Sequence, residues 1–445
     1  MMNTIFITSF HPSIGRNILS GDVVKKLLLR EDVRIVIFCP DYKTSYFKNE
    51  FDHPHIFIEG IKIEKPTWHD ILFGYISRSV ISSSTLLIHR KELFYRKKKI
   101  LPFVFSYFLV ILGRMFFLKK VIRWLDQLTS PKSKFENYFK KYNPKLIFAT
   151  DVFNRDDIDF LACAKRAGVF RVGMVRSWDN ITGKGLIRIK PDMLIVPNGI
   201  IKEEVIKYQS IPPKYIYVSG LPQMDFYVKN TDRMSREVFF SKIGLNPNKV
   251  TIFVAPHGRR FFNDDGFLLE KLKGLPYQYI VRLPPNDTIN YLNFIPSSIF
   301  FIEHPGISFK EGVYNNRELS LSDSFMLATE LFYADVVLNY GSTISIEAAF
   351  YDKPIINFFG DAQKNLPYIQ SERRFFDFSH LNKLWNLNFC KVSYNFDDLK
   401  KQIDEYLKNP LLDKKGRSDF LRLQAGYLDG KSGARIADFL LNHLN

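Results

Sequence analysis

The sequence predicts an α/β protein built from two doubly wound, Rossmann-like domains that face each other across a cleft. Short runs rich in Val, Ile, Leu and Phe recur along the chain, and each is followed by a loop and then by a helical pattern. The alternation stops at a polar stretch, residues 229–236, and then starts again. Near-continuous apolar strands that alternate with helices are typical of parallel sheets covered on both faces. With 445 residues the chain is long enough for two or three domains.

The first alternating region, residues 1–227, is interpreted as an N-terminal Rossmann-like domain. A helical pattern is expected between its first two strands, from about residue 17 to residue 30. The predicted strands of this domain are residues 4–8, 33–38, 145–149, 171–175, 193–196 and 215–218.

The second region, residues 240–425, is interpreted as a C-terminal Rossmann-like domain, and residues 426–445 as a helix with Ser432 as its N-cap. In doubly wound sheets, ligands bind outside the carboxyl ends of the strands, so functional residues are expected in the loops directly after strands. The predicted strands of the second domain are residues 250–254, 279–282, 299–302, 336–338 and 354–357.

Composition narrows the class of protein and its compartment. A hydrophobic content of 46% and a charged content of 24% exclude a disordered or fibrous chain. Cys39, Cys163 and Cys390 form neither a disulfide framework nor a zinc motif, which favours a reducing compartment. The N-terminus lacks the basic region and cleavage site of a signal peptide. We therefore expect a cytoplasmic protein, either free or peripheral on the inner face of the cytoplasmic membrane.

The formal net charge of +17 is distributed unevenly. Residues 90–123 contain ten Lys or Arg and one Glu, a net +9, around the uncharged run 100–113. A membrane-spanning helix is disfavoured because a helix of this length reaches only ~21 Å. A buried core helix with a solvated basic flank and an interfacial segment on anionic lipid both stay open. Nucleic acid is not an expected partner, because the sequence has no helix-turn-helix, zinc-finger or aromatic-glycine RNA-binding motif.

The strongest chemical signal is the turn after the strand predicted at residues 336–338. Gly341, Ser342 and Thr343 precede a helix, where backbone N–H groups, two hydroxyls and a positive helix end can bind an anion. Glu347 lies about one helical turn beyond Thr343, and its carboxylate can accept two hydrogen bonds from a vicinal diol such as that of ribose. An ordinary β–α turn with a solvent-facing Glu is the alternative.

This segment, residues 334–350 followed by 352–357, resembles the nucleotide-sugar site of GT-B glycosyltransferases. The shared pattern is Asp, an apolar strand, Gly-Ser-Thr, Glu-Ala-Ala and Lys-Pro-Ile-Ile. The segment is also similar to CDP-glycerol-type polymer transferases and to non-hydrolysing UDP-GlcNAc 2-epimerases, which share that architecture. Residues 218–225 and 244–249 resemble the segments that end the first domain and begin the second. The resemblance covers most of the chain and implies that the second domain holds a nucleotide sugar and the first an acceptor.

Two more loops of the second domain carry candidate ligands. His257, Gly258 and Arg259 follow a predicted strand; a small residue lets a ligand approach the backbone, while His257 and Arg259 can contact phosphate. Arg282 ends the next predicted strand. Relatives that use CMP or CDP tend to carry His-Pro after the basic residue, whereas Leu-Pro-Pro follows Arg282 here, which argues against a cytidine donor. Either arginine could instead form a surface ion pair.

The catalytic candidates lie in the first domain. An inverting transferase needs a carboxylate or His that takes the acceptor hydroxyl's proton as it attacks the anomeric carbon, a contribution of ~10²–10⁴-fold. Asp179, Asp151 and His11 follow predicted strands and occupy loop positions at the expected cleft. Alternatively, Asp151 opens the following helix and Asp179 forms an Asx-turn.

No bound metal and no other cofactor are expected. Asp157 and Asp159 match the metal-binding Asp-x-Asp of the other glycosyltransferase fold, but in a helix two such positions point to different faces, so we interpret them as surface charge. The leaving-group charge would be met by the helix start at Ser342 and by arginine side chains.

Together these features favour a metal-independent glycosyltransferase that moves a sugar from a nucleotide-activated donor to a lipid-linked or surface polysaccharide acceptor. Its expected partners are the nucleotide sugar, the glycan or lipid-linked glycan acceptor and an anionic membrane surface. A nucleotide-sugar 2-epimerase is an alternative, although residues 174–180 lack the Glu that those enzymes carry in a His-Val-Glu-Ala-Gly-Leu-Arg-like segment. A non-catalytic membrane-surface scaffold with the same fold is another, and it predicts no nucleotide binding.

Overall fold

The computed structural model describes residues 2–259, 265–285, 287–289, 291, 294–310, 316–363 and 365–444. The chain forms two compact units, one comprising Met1–Asp225 together with Gly426–Asn445 and the other comprising Phe226–Ala425. Each unit contains a parallel sheet with helices, which confirms the predicted α/β class with two doubly wound sheets.

The first unit is built on a seven-stranded sheet. Its strands are Asn3–Thr8 (β1), Val33–Pro40 (β2), Ile56–Ile61 (β3), Leu146–Ala149 (β4), Phe170–Met174 (β5), Met193–Val196 (β6) and Ile216–Val218 (β7). Their order is β3-β2-β1-β4-β5-β6-β7, and all neighbouring pairs are parallel. The sheet grows from β1 in one direction and from β4 in the other, so its switch point lies between these two strands, where Ile5 pairs with Leu146.

The helices of the first unit follow the strands as crossovers, and α11 leads the chain into the second unit. They are Asp22–Leu27 (α1), Thr44–Glu50 (α2), Trp68–Ser79 (α3), Ser84–Lys97 (α4), Ile100–Leu112 (α5), Phe116–Thr129 (α6), Glu136–Tyr142 (α7), Arg155–Arg166 (α8), Asn180–Gly183 (α9), Gly199–Glu204 (α10) and Pro222–Lys229 (α11).

Alternate residues of β1 face two different cores, as the two-residue period of a strand requires. On one face the Phe6 ring lies 4.8 Å from that of Phe38, within an aromatic cluster that includes Phe160 of α8. On the other face, Ile5 and Ile7 belong to an aliphatic core shared with the C-terminal helix. Burial on both faces explains why the strands read as nearly continuous apolar runs.

The C-terminal helix, Ser432–Leu441 (called α19 because seven helices of the second unit precede it), packs on the first unit. The prediction that Ser432 caps this helix is wrong, because Ser432 is its first helical residue and no side-chain cap is formed there. Instead the Asp225 carboxylate accepts hydrogen bonds from the backbone N–H groups of Ser432 at 3.0 Å and Gly433 at 2.7 Å. A carboxylate at this position also complements the positive helix end.

The second unit contains a six-stranded parallel sheet and a small hairpin. The strands are Thr251–Val254 (β8), Gln278–Arg282 (β9), Phe300–Glu303 (β10), Ile307–Ser308 (β11), Arg317–Glu318 (β12), Val336–Asn339 (β13), Ile355–Phe358 (β14) and Lys391–Ser393 (β15). The sheet order is β10-β9-β8-β13-β14-β15, so its switch point lies between β8 and β13; β11 and β12 pair antiparallel. The helices are Arg236–Ile243 (α12), Asp265–Leu272 (α13), Leu321–Tyr333 (α14), Ile344–Phe350 (α15), Ser379–Asn382 (α16), Phe396–Lys408 (α17) and Lys414–Ala425 (α18).

The apolar-basic segment of the first unit forms α4, α5 and α6. Within the described residues, no single helix is long and apolar enough to cross a membrane; α5 and most of α6 satisfy both criteria only as a pair bent by 119°. The interpretation of residues 100–113 as a buried core helix is wrong, because six apolar side chains of α5 are 50–83% exposed. We call these six the α5 apolar face: Ile100, Leu101, Val104, Phe105, Phe108 and Ile111.

The basic residues of this segment divide into two groups. Lys119 and Arg123 are buried, and Arg90 is half-buried. Arg123 donates to the carbonyls of Ile187 and Gln209, and burial lowers its pKa to about 10. The other basic residues of the segment are exposed: Lys91, Arg96, Lys97, Lys98, Lys99, Arg114 and Lys120.

Candidate functional site

Polar side chains gather at the switch point of each sheet. In the first unit, His11 lies in the loop after β1 and Asp151 in the loop after β4. In the second unit, His257 follows β8 and the turn at residues 340–343 follows β13. Because the carboxyl ends of adjacent parallel strands meet at one edge, the two loops of each pair are neighbours.

The imidazole of His257 is held on several sides. Its Nδ1 lies 3.0 Å from a carboxylate oxygen of the buried Glu372. The ring stacks on Tyr340, with 5.3 Å between centroids, and meets Phe375 edge-to-face at 4.3 Å. Because a carboxylate only accepts hydrogen bonds, the Glu372 contact places a proton on Nδ1. His257 is therefore pre-oriented next to the β13 turn.

The backbone of the same loop is anchored by Asp265, the first residue of α13. Its two carboxylate oxygens accept from the N–H groups of His257 at 3.0 Å and Gly258 at 3.1 Å. Burial raises the pKa of Asp265 to about 6, against the opposing charge of His257. Arg259 is exposed beside this anchored backbone.

Glycine is required at position 258 for a structural reason that differs from the predicted one. Its φ is +92°, and a Cβ there would lie 2.8 Å from an Asp287 oxygen and 2.9 Å from Pro284. The expectation that this glycine opens the backbone to a ligand is wrong, because the loop after β9 already fills that space. Backbone conformation and close packing require the glycine.

In the β13 turn, two backbone N–H groups that were predicted to bind an anion donate to asparagine side chains instead. The N–H of Gly341 donates to Asn357 Oδ1 at 2.7 Å, and that of Ser342 donates to Asn339 Oδ1 at 2.9 Å. The expectation that both N–H groups are available to an anion is therefore wrong. Thr343 and Ile344, at the helix start, provide the N–H groups that lack an intrahelical acceptor by position.

Two buried polar atoms of this turn lack a hydrogen-bond partner within the described part of the chain: Ser342 Oγ and Asn339 Nδ2. A buried unsatisfied polar group costs about 1–3 kcal/mol, so such atoms are rare and indicate a missing polar ligand or water. Glu347, on α15, is also buried, and its charge acts on the nearby Tyr351 hydroxyl. The turn thus has the chemistry of a polar-ligand site.

Arg282 does not have the position expected of a phosphate ligand. Its guanidinium is buried and contacts the carboxylates of Glu303 and Glu330, the latter at 2.8 Å. Burial acts to lower the pKa of Arg282, but Glu330 and Glu303 outweigh it and raise this pKa. A phosphate would have to displace these carboxylates, so we exclude Arg282 from the site.

In the first unit, Asp151 is buried and held by two cations. Its Oδ2 lies 3.3 Å from both Arg176 Nε and Lys184 Nζ, and its Oδ1 accepts from the N–H of Phe153 at 3.1 Å. Burial alone would raise the pKa of Asp151, but Lys184 and Arg176 hold it far below its ordinary value. Asp151 is thus a permanent anion. It does not cap α8, whose N-cap is Asn154.

His11 lies beside this anion. Its Nδ1 is 2.9 Å from Ser13 Oγ and 3.3 Å from the Ser13 backbone nitrogen. Burial, and next the charge of Arg176, lower the pKa of His11 well below its ordinary 6.5, although Asp151 opposes this. The imidazole is therefore neutral at pH 7, which is the state that a general base requires.

The interpretation of Asp157 and Asp159 as surface charges is wrong. Asp157 is buried against the switch point, where its Oδ1 accepts from the Thr8 hydroxyl and from the Asp151 N–H. Burial and the charge of Asp151 raise the pKa of Asp157 well above its ordinary value. Burial likewise raises the pKa of Asp159 to about 6. Two neighbouring carboxyls with opposite pKa shifts, Asp151 and Asp157, are a pattern typical of functional sites.

Asp179 lies in the loop after β5, next to the Asp151 loop in the sheet order. The residue is half-buried, and its Oδ1 accepts from the Ser177 hydroxyl at 2.6 Å and from the Asn180 amide at 3.3 Å. The preceding Trp178 is buried. The structure thus gives Asp179 local partners within its own loop, whereas it places Asp151 with His11.

Asp157→Asn is expected to be tolerated, because an amide oxygen can still accept from Thr8 and Asp151. Asp157→Ala should lower the free energy of unfolding by about 1–3 kcal/mol, since both donors lose their acceptor. The raised pKa of Asp157 means that the native state holds a proton which the unfolded state releases above pH 4, so its contribution to stability is lost as the pH rises. The Asn variant should therefore gain stability relative to wild type between pH 4.5 and 8, measured by denaturant unfolding. A constant difference across this range would contradict a buried protonated carboxyl.

Sequence patterns identified the loops but not all of the side chains that lie at the two switch points. Arg176 and Lys184 were not among the predicted site residues, although Arg176 directly follows a strand and could have been found by that rule. Glu372 lies 115 residues beyond His257, and nothing in the local sequence links the two. Within the described residues, no group of three or more His, Cys, Asp or Glu side chains has the arrangement of a metal site.

Comparisons with known proteins bear on the fold. No protein-family model matches the chain, and no curated protein matches it. A UDP-GlcNAc 2-epimerase from Neisseria meningitidis, bound to UDP-GlcNAc, has a TM-score of 0.54 at 12% identity over 99% of this chain and 100% of that one. A glycosyltransferase from Rickettsia africae scores 0.50 at 14% identity over 99% of both chains. The wall teichoic acid polymerase TagF scores 0.50 at 12% identity over 99% of this chain and 89% of that one. The chain therefore has the GT-B-type fold that the turn at Gly341–Thr343 predicted.

Proposed function

We propose that this protein is a metal-independent glycosyltransferase that uses a nucleotide-activated sugar. The observation that carries the proposal is the β13 turn, where the buried Ser342 Oγ and Asn339 Nδ2 lack partners within the described residues, next to the pre-oriented His257. A polar ligand is the natural partner for such a set of atoms. The β13 turn lies at the carboxyl end of a doubly wound sheet, beside its switch point. Nucleotides bind at this position in this class of fold.

In the proposed donor site, the second unit binds the nucleotide. His257 Nε2 and the exposed Arg259 contact phosphate, Thr343 donates its hydroxyl, and Glu347 accepts hydrogen bonds from the ribose hydroxyls. Since Glu347 is buried, side chains around it must move to admit the ribose. Donors directed at the phosphates stabilise the charge that develops on the leaving nucleotide without a metal ion.

In the proposed transfer step, the first unit activates the acceptor. The Ser13 hydroxyl takes the proton of the acceptor hydroxyl and passes its own proton to Nδ1 of the neutral His11 imidazole, the freed acceptor oxygen bonds to the anomeric carbon, and the bond from that carbon to the nucleotide phosphate breaks. The adjacent Asp151, which stays ionised, stabilises the imidazolium that forms. Asp179 orders the neighbouring loop through Ser177 and Asn180.

The α5 apolar face is proposed to lie on an anionic membrane surface on the cytoplasmic side. Its six apolar side chains are next to seven exposed basic residues of the same segment, which favour anionic lipid headgroups. This combination suits an acceptor that is lipid-linked or a growing surface polysaccharide.

Product analysis tests the reaction type. The protein would be incubated with a panel of nucleotide sugars and a lipid extract in the presence of EDTA. Transfer predicts nucleotide release and a glycosylated lipid or glycan product.

A 2-epimerase is the second candidate, since an epimerase of that kind shares the fold. It would instead change the stereochemistry at C2 of the nucleotide sugar, which NMR of the recovered sugar detects.

Glu347→Gln should weaken binding of a nucleoside diphosphate by roughly tenfold, because a hydrogen bond to a charged acceptor is stronger than one to a neutral amide. The measurement is calorimetric titration of the variant and the wild type. Repeating it with the 2′,3′-dideoxynucleotide provides the control, since without ribose hydroxyls the two proteins should bind equally. An equal loss for both nucleotides would remove Glu347 from the ribose site.

Leu101→Glu combined with Phe108→Glu should reduce binding to anionic vesicles, because both side chains belong to the α5 apolar face. Co-sedimentation at low salt measures the effect, and higher salt should weaken binding of the wild type. Leu29→Glu is the matched control, since Leu29 is 80% exposed elsewhere in the first unit. Unchanged binding of the double variant would show that this face does not contact lipid.

A further inference from the structure

A cavity of the first unit lies apart from the switch point. It is lined by α3, α4 and α5, is open to solvent on one side and has a volume of about 240 Å³. Its walls are largely apolar, formed by Leu86, Leu93, Phe94 and Phe103. The rings of Phe94 and Phe103 stack at 4.4 Å, which joins α4 to α5 along one side. Such walls suit a hydrocarbon chain.

The same cavity is strongly basic. Arg78, Arg90, Lys97 and Lys99 line it, and no Asp or Glu belongs to the described lining. Four cations around apolar walls are the complement of an amphiphile with an anionic head. A purely apolar ligand would leave these charges without partners.

Arg90 gives the most specific indication of that head. Its Nη2 donates to the carbonyls of Arg78, Ser79 and Ile81, at 2.7, 3.1 and 2.6 Å. Its Nε and Nη1 are buried and have no hydrogen-bond partner within the described residues, and no carboxylate there forms an ion pair with Arg90. Buried guanidinium N–H groups without an acceptor favour an anionic oxygen ligand such as phosphate.

We propose that this cavity is a binding site for a lipid phosphate. The phosphate accepts from an unpartnered N–H of Arg90 and contacts the cations of the rim, and the first part of the hydrocarbon chain lies against Leu86, Leu93, Phe94 and Phe103. The site goes beyond the proposed transferase activity and does not depend on it. It also differs from the α5 apolar face, because Phe103 and Ser106 line the cavity from the opposite side of α5.

Three probes separate the parts of this ligand. Dodecyl phosphate, below its micellar concentration, carries both head and chain; inorganic phosphate carries the head alone; dodecyl maltoside carries the chain with an uncharged head. Calorimetric titration of the full chain should show binding of dodecyl phosphate at least about tenfold tighter than of either other probe. Equal binding of dodecyl maltoside, or equal binding of inorganic phosphate, would overturn the proposal, as would no binding of dodecyl phosphate.

Two variants and one control test whether dodecyl phosphate binds in this cavity. Arg90→Met should weaken dodecyl phosphate binding by about tenfold. Because Arg90 also holds the end of α3, Leu93→Glu serves as the second variant; it places a carboxylate in the cavity from a half-exposed position and should give a loss of at least that size. Leu101→Glu, on the α5 apolar face, should leave this binding unchanged. The assignment would be overturned if Leu101→Glu weakened dodecyl phosphate binding as much as Leu93→Glu does, or if Leu93→Glu did not weaken it. Nucleotide binding by the second unit should stay intact in either case.

Discussion

The His11→Asn variant is expected to transfer sugar ~10²–10⁴-fold more slowly than the wild type, because it lacks the general base. The amide oxygen of Asn can still accept from the Ser13 backbone and hydroxyl, so the loop should keep its conformation. Nucleotide affinity should not change, since the nucleotide is proposed to bind the second unit. The rate is measured as product formed per enzyme at saturating donor and acceptor.

His53→Asn is the matched control, because His53 Nδ1 also accepts a backbone N–H from two residues further on, that of His55, at 3.1 Å. Its activity should equal that of the wild type. A fully active His11→Asn variant would contradict the base assignment and leave Asp179 as the remaining candidate.

The pH dependence provides an independent test of the same residue. Because the pKa of His11 lies well below 6.5, kcat/KM should stay constant as the pH falls to 6.5 and should decrease only at lower pH. The charge of Arg176 contributes to this low pKa, so Arg176→Gln should move the decrease to higher pH. Arg171→Gln removes an arginine that pairs with Asp192 and should not move it. If kcat/KM decreased at the same pH in both arginine variants, the decrease would not be caused by protonation of His11.

Replacing His257 by Asn is expected to weaken nucleotide binding by roughly 10- to 100-fold, the effect of losing a hydrogen bond to a charged phosphate. The Asn amide can still donate to Glu372 as Nδ1 does, whereas the donor corresponding to Nε2 is lost. The change thus separates the ligand contact from the support of the loop. Calorimetric titration with a nucleoside diphosphate measures it.

His304→Asn is the control for this variant, because His304 follows β10 at the edge of the same sheet, two strands from β8. Its nucleotide affinity should be that of the wild type. Equal weakening by both substitutions would mean that the nucleotide does not lie at the switch point, and an unchanged His257→Asn would remove His257 from the site.

The strands that carry the site could be predicted from the sequence because they are buried on both faces. β6 was predicted at its observed bounds, and β1 and β8 to within a residue. The prediction missed β3, whose residues are only partly buried, and the three-residue β15. The helix expected over residues 17–30 is divided into a π-helix, Gly15–Leu19, and α1, Asp22–Leu27, because Gly21 adopts an extended conformation between them.

The site itself could be predicted only as a set of loops. His257, Gly341 and Asp151 follow strands, and the sequence shows that directly. Whether a side chain is available to a ligand depends on partners that are distant in the chain: Glu330 accepts from Arg282 from 48 residues away, and Asn357 occupies the Gly341 N–H from 16 residues away. The burial of Asp157 likewise depends on Thr8, on a different strand. Local sequence carries no signal for such pairings.

The charge of +17 does not mark one surface. Within residues 90–123, Lys119 and Arg123 are buried and donate to the Ser210 hydroxyl and the Ile187 carbonyl, and Arg90 lines the cavity between α3, α4 and α5. The remaining basic residues are exposed, and Lys97 and Lys99 among them also line that cavity. The basic segment therefore combines buried, cavity-lining and surface positions, which composition alone cannot separate.

Calorimetric titration of the wild-type chain with UDP, GDP, CDP, CMP, ADP and dTDP, in the presence of EDTA, tests the central claim most directly. The proposed donor site predicts that one of these nucleotides binds at one molecule per chain without a metal ion. Absence of binding by all six would contradict a nucleotide site at the β13 turn and would favour a non-catalytic scaffold with the GT-B fold.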